Sequence, residues 1–207
     1  MDGLEFELLT ATTDDQAVLL RKIERDLSEM NSRELWNKIV SVGQNEQAIT
    51  HGDDLKPLLT TTGAGPCIVV SGYDKSSRVG FLTHYDNPKA PDSFEALFGE
   101  LLPGNYEVKI DGGERYQDYY FIDRKTGKFL LKEKIDSLSS STKTLRIVRD
   151  TAFSKGSNDE SYNVLFDTRT GQEIPFPYKK LQDMLRHEPM REIPQFLATT
   201  IYNSFAA

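Results

Sequence analysis

The chain has 207 residues, 38% hydrophobic and 28% charged, which suffices for one domain with a sizeable core. A net charge of -7 and a pI near 5.1 argue against nucleic-acid binding by phosphate tracking, which needs a basic face. No segment reaches the run of about 18 apolar residues of a membrane helix, so no membrane insertion is expected, and the start Met1-Asp2-Gly3 lacks the features of a secretory signal.

In chain order, residues 14–40 are expected to form a helical pair. Thr13 or Asp14 can cap it, and Val18, Leu19, Ile23, Leu27 and Met30 recur at helical spacing. Ser32 can cap again before Leu35, Trp36, Ile39 and Val40. The segment reads as packing on the domain rather than as a partner-binding extension. Val40, Val42, Ala48 and Ile49 suggest a short strand, and His51-Gly52-Asp53-Asp54 a turn. Leu58 to Thr62 is apolar and β-branched and leads into Gly63-Ala64-Gly65-Pro66-Cys67. Cys67–Tyr73 and Arg78–Tyr85 have strong strand character and are separated by the turn Asp74–Ser77, a hairpin pattern.

Asp92 to Leu102 predicts a helix with Phe94, Leu97, Phe98 and Leu101 on one face, stopped by Pro103-Gly104. Tyr106 to Asp111 alternates as a strand before Gly112-Gly113. Tyr119 to Ile122 reads as a strand, and Leu131, Ile135 and Leu138 fit a helix. A further strand covers Leu145 to Val148. Tyr162–Phe166 and Glu173–Phe176 flank Asp167 to Gly171 as a second hairpin. Residues 177–205 are expected to be helical, broken near Pro189 and Pro194. Residues 137–141 and 154–159 read as loops within one domain.

The first hairpin carries the chemistry. A symmetric turn over Asp74–Ser77 pairs Tyr73 with Arg78 and, by the same count, Cys67 with His84. Directly opposed residues have Cβ atoms about 4.5–5.5 Å apart, close enough for a thiol and an imidazole to meet, provided no bulge intervenes. A cysteine nucleophile attacks as thiolate, and a neighbouring imidazole takes its proton. Gly63 and Gly65 allow a tight turn that brings backbone N–H groups near a reacting carbonyl. The competing reading is a buried strand-end cysteine beside a satisfied core histidine, and the residues alone leave both open. The lone cysteine permits no internal disulfide, which points to a reducing, cytoplasmic setting. Delivery as an effector into a host cytoplasm is the alternative.

The run Thr61-Thr62-Gly63-Ala64-Gly65-Pro66-Cys67, then Tyr73-Asp74 and Val79-Gly80-Phe81-Leu82-Thr83-His84, resembles the chemotaxis receptor glutamine deamidase CheD. Leu82-Thr83-His84-Tyr85-Asp86 and Cys67-Ile68-Val69-Val70 are more similar to the eukaryotic protein N-terminal asparagine amidohydrolase. The likeness spans roughly residues 40–178. It implies an α/β (α+β) fold, a layered mixed β-sheet core flanked by helices, shared with the catalytic domain of cytotoxic necrotizing factor. The single domain would comprise a helical extension at 1–40, a CheD-like core at 41–178 and a C-terminal helical segment at 179–207.

The resemblance further implies that Cys67 attacks a Gln or Asn carboxamide, that His84 activates water on the acyl-enzyme, and that Thr61 orients the imidazole. Cys67 N–H would be one oxyanion donor. Pro66 has no N–H, which departs from the CheD pattern and leaves Gly65 or a neighbouring loop as the second. The substrate would be a protein or peptide bearing Gln or Asn, with an N-terminal residue as one form. The alternatives are a thiol acyl hydrolase or transferase, and a CheD-like interaction module whose activity has lapsed.

Asp86 lies two residues past His84 on the same face and could bind a substrate ammonium group or cap the next turn. His51 and His187 read as solvated, and the three histidines and one cysteine form no metal signature. Gly63-x-Gly65 is too short for a nucleotide fingerprint, so no cofactor is expected. Tyr116, Tyr119 and Tyr120 read as core. Nothing in the sequence indicates an oligomeric state.

Overall fold

The computed structural model describes residues 25, 34–35, 37–113, 121–153, 162–174 and 200–203. The architecture is mixed α+β. One sheet has four strands in the order β1-β3-β8-β9, and the other has six in the order β10-β2-β5-β4-β6-β7. In chain order the strands are β1 (Ile39–Ser41), β2 (Glu46–His51), β3 (Leu58–Ala64), β4 (Ile68–Asp74), β5 (Val79–Tyr85), β6 (Gly104–Gly112), β7 (Lys143–Asp150), β8 (Tyr162–Asp167), β9 (Gln172–Ile174) and β10 (Thr200–Asn203). Both sheets are mixed, because β1 runs parallel to β3 and β6 parallel to β7 while the other pairs are antiparallel. Two helices lie wholly within the described residues, α1 (Ala90–Glu100) and α2 (Leu130–Ser137). No helix among the described residues is long and apolar enough to cross a membrane.

Strand alternation divides the core in two. Ile68 and Val70 of β4 and Phe81 and Tyr85 of β5 pack with Phe94 and Leu97 of α1 and Leu131 and Ile135 of α2. The opposite faces of β4 and β5, with Val69 and Leu82, and Cys67 just before β4, pack against Leu59, Val164 and Phe166 of the four-stranded sheet. Helices thus cover one face of the six-stranded sheet and the second sheet covers the other. Every residue of β5 is buried, as expected of a central strand covered on both faces.

The hairpin forms, but in a different register from the one expected. The turn is Lys75–Arg78, so Val69, not Cys67, sits opposite His84, and Ile68 opposite Tyr85. Asp74 is the reason. Its carboxylate accepts hydrogen bonds from Ser76 N–H, Ser77 N–H and both serine hydroxyls. That makes Asp74 the anchor at the strand end rather than the first loop residue.

Helix α1 begins two residues before the expected Asp92, with Pro91 in its first turn, where the missing N–H is harmless. Ile39 and Val40 are strand rather than helix, paired with Leu58 and Leu59. Of the rest of the expected 14–40 pair, Arg25, Glu34 and Leu35 are helical, and the remainder lies outside the described residues apart from the turn at Asn37 and Lys38. Of the expected strand at 119–122, Tyr119 and Tyr120 lie outside the described residues, Phe121 is in a turn, and Ile122 forms an isolated bridge with Phe129. The expected C-terminal helix is corrected where it is described. Thr200–Asn203 is a strand antiparallel to β2, since a sheet edge offers unpaired backbone groups to a β-branched and aromatic segment.

Candidate active site

The site lies between the two sheets. Thr61 comes from β3, where Leu59 two residues earlier faces the inter-sheet core. It is 1% exposed, and its Oγ1 lies 2.7 Å from Val42 O and 2.7 Å from His84 Nδ1. A hydroxyl has one hydrogen and the Val42 carbonyl can only accept. Thr61 therefore donates to Val42 O and accepts from Nδ1–H. That assigns the proton of the neutral imidazole to Nδ1 and leaves Nε2 with its lone pair. His84 is 4% exposed and its Nε2 is buried with no hydrogen-bond partner. A buried nitrogen without a partner is costly and calls for an explanation. Burial pushes the His84 pKa below its usual value, with the Asp86 charge opposing it, so the ring is neutral near neutral pH, as a base must be.

Cys67, 3% exposed, immediately precedes β4. Val69 sits opposite His84, and Cys67, one residue beyond the paired part of β4, packs in the same inter-sheet cluster as Val69 and Leu82, which puts it on the face that bears His84. The two-residue slip in register preserves the shared face because the side-chain period is two. No protein-family model matches this chain, and no curated protein matches it.

Gly65 is half-buried, and its N–H donates to Gly63 O at 2.9 Å. That bond uses the hydrogen which the oxyanion reading assigned to Gly65. Asp86 stands at the rim of the site. Its carboxylate accepts from the Gln44 side-chain amide, and its N–H donates to Asn45 Oδ1 at 3.2 Å. His51 ends β2, and its Nδ1 accepts from Asp53 N–H at 3.0 Å. His187 and Tyr116 lie outside the described residues. Among the described residues no group of three His, Cys, Asp or Glu side chains could hold a metal ion.

Sequence reasoning missed the turn that serves the site, Val42 to Asn45. Val42 O fixes the Thr61 hydroxyl. Asn45 N–H donates to His84 O at 2.6 Å, and Asn45 adopts a positive φ of 61°. Gly43 N–H donates to the side chain of Glu46, the residue paired with His84 from β2. Gln44-Asn45 between two apolar runs was a readable turn signal, but nothing local ties it to residues forty positions away.

Proposed function

We propose that the protein is a cysteine-dependent amidohydrolase on a CheD-like fold that converts a Gln or Asn carboxamide of a protein or peptide to a carboxylate. The observation that carries this reading is the Val42–Thr61–His84 chain, which leaves an unpartnered base nitrogen on the face that bears Cys67. His84 Nε2 accepts the Cys67 thiol proton, and the thiolate attacks the carboxamide carbon. The tetrahedral intermediate collapses as the C–N bond breaks, and the imidazolium hands its proton to the leaving nitrogen, releasing ammonia. Water then enters, Nε2 takes one of its protons, and hydroxide attacks the thioester. The C–S bond breaks, the sulfur recovers a proton from His84, and the acid departs.

Burial supports a side-chain substrate. With Cys67 3% and His84 4% exposed, a carboxamide at the tip of a slender Gln or Asn side chain fits the approach better than a peptide bond flanked by bulk. Asp86, whose charge raises the His84 pKa against burial, favours the imidazolium that each transfer creates. It would also pair with the α-ammonium of an N-terminal substrate residue. The deciding experiment compares wild type with Cys67→Ala on Asn- and Gln-initiated peptides and on proteins with internal Gln, reading ammonia and the amide-to-acid mass change. Ammonia from wild type alone is expected. Equal behaviour of the two proteins on every substrate would sink the proposal.

A further inference from the structure

The end of β6 bears on the nucleophile from the side opposite His84. Ile68 pairs with Gly112 across the β4–β6 ladder, and both Gly112 (φ +87°) and Gly113 (φ +76°) are left-handed. Two successive left-handed residues turn the Gly113 N–H onto the Cys67 carbonyl, to which it donates at 2.8 Å. A Cβ on Gly112 would fall far inside contact distance of that same carbonyl oxygen. The oxygen is backbone, so no side-chain rotation relieves the overlap. On the far side, Phe153 N–H donates to Gly112 O at 2.9 Å, anchoring the pair to the segment after β7. The contact is therefore a hydrogen bond and a close approach on one atom, and that atom belongs to the Cys67 peptide. With the chain entering through Pro66, fixing the carbonyl limits the rotation open to the Cys67 Cα–C bond and so restricts the direction of the Cα–Cβ bond.

We infer that Gly112 and Gly113 are positioning residues for Cys67, a backstop that sets its thiol against His84. The inference rests on the thiol–imidazole pairing proposed above, and its test separates the two. The rate of iodoacetamide alkylation of Cys67, the only cysteine, is followed against pH in wild type, His84→Gln, Gly112→Ala and Gly112→Asn. Asparagine tolerates positive φ better than alanine, so Gly112→Asn isolates the overlap from backbone strain. Gly99, where a Cβ meets nothing within 4 Å, provides the control as Gly99→Ala.

The wild-type midpoint is expected below that of an isolated thiol, about 8.5. Both Gly112 variants should move it upward by about one unit, a loss of about tenfold in thiolate at neutral pH, while Gly99→Ala matches wild type. A wild-type midpoint equal to that of His84→Gln would overturn the pairing, and the positioning role with it. A low wild-type midpoint retained in both Gly112 variants would overturn the positioning role alone. So would loss of folding in both, read by circular dichroism, because the pair would then serve the fold and not the thiol.

Discussion

His84 can act as a base only while Nε2 keeps its lone pair, and one hydroxyl enforces that. Thr61 gives its hydrogen to Val42 O and takes one from Nδ1. Replacing it with valine should therefore release the tautomer and cost about a hundredfold in ammonia release, whereas Thr61→Ser should stay within about fivefold because it keeps the oxygen. If valine and serine behave alike, the hydroxyl has no such role. The Asp86 charge gives a second handle, with a definite sign. A carboxylate near an imidazole stabilises the imidazolium, and here it partly offsets a pKa lowered by burial. Asp86→Asn should move the His84 titration, followed through the ring proton resonances by NMR, further below the ordinary 6.5. An upward move would mean that the two groups do not feel each other as described.

At the scale of elements, the β4–β5 hairpin sets where Cys67 and His84 stand, and Asp74 sets the hairpin. Burial would raise its carboxyl, but hydrogen bonds from Ser77 and Ser76 outweigh that and hold it below the ordinary 3.8. Such a depressed carboxylate stabilises the fold above its unfolded pKa. The benefit fades as pH falls from 3.8 through the lower folded value, where protonation removes the acceptor. Asp74→Ala should cost about 1–3 kcal/mol near neutral pH, measured by urea unfolding. The variant should also lose less stability than wild type between about pH 5 and pH 3. The expected loop Asp74–Ser77 lies one residue too early, including Asp74 and leaving out Arg78, because composition marks Asp and Ser as turn residues without showing that the Asp74 carboxylate closes the turn from the strand end.

At the scale of the molecule, the two sheets must stay stacked for Thr61 to reach His84. Apolar contacts do most of this, and one ion network joins them. The β6–β7 register skips Val148, pairing Ile147 with Val108 and Arg149 with Lys109. That bulge turns Arg149 out of the alternation of Leu145 and Ile147. Its Nη2 bonds Asp111 and Glu173, each at 2.5 Å, and Glu173 reaches from β9 to Ser71 of β4. Arg149→Met would take the guanidinium from two largely buried carboxylates, leaving Asp111 with Thr151 and Glu173 with Ser71 and Lys109. The expected loss in urea unfolding is about 1–3 kcal/mol, less than for a fully enclosed pair because the guanidinium is 37% exposed and partly screened. A change under about 0.5 kcal/mol would remove the network from the account of sheet stacking.

Local physics made much of this chain readable in advance. Strand character marked β4 and β5, alternation marked β6, the spacing of Phe94 and Leu97 and of Leu131 and Ile135 marked the two described helices α1 and α2, and the turn residues marked both hairpins. The pairing count across the first turn put Cys67 and His84 on one face, and a register two residues away keeps that face because the side-chain period is two. What only the tertiary structure decided were pairings between distant segments: the Val42 carbonyl with the Thr61 hydroxyl, Gly113 with the Cys67 carbonyl, β10 at the edge of β2, and Arg149 redirected by a single bulge. Periodicity and turn chemistry are set by sterics within a few residues. Which strand lies beside which is set by burial shared over the whole core, and no local stretch carries that information.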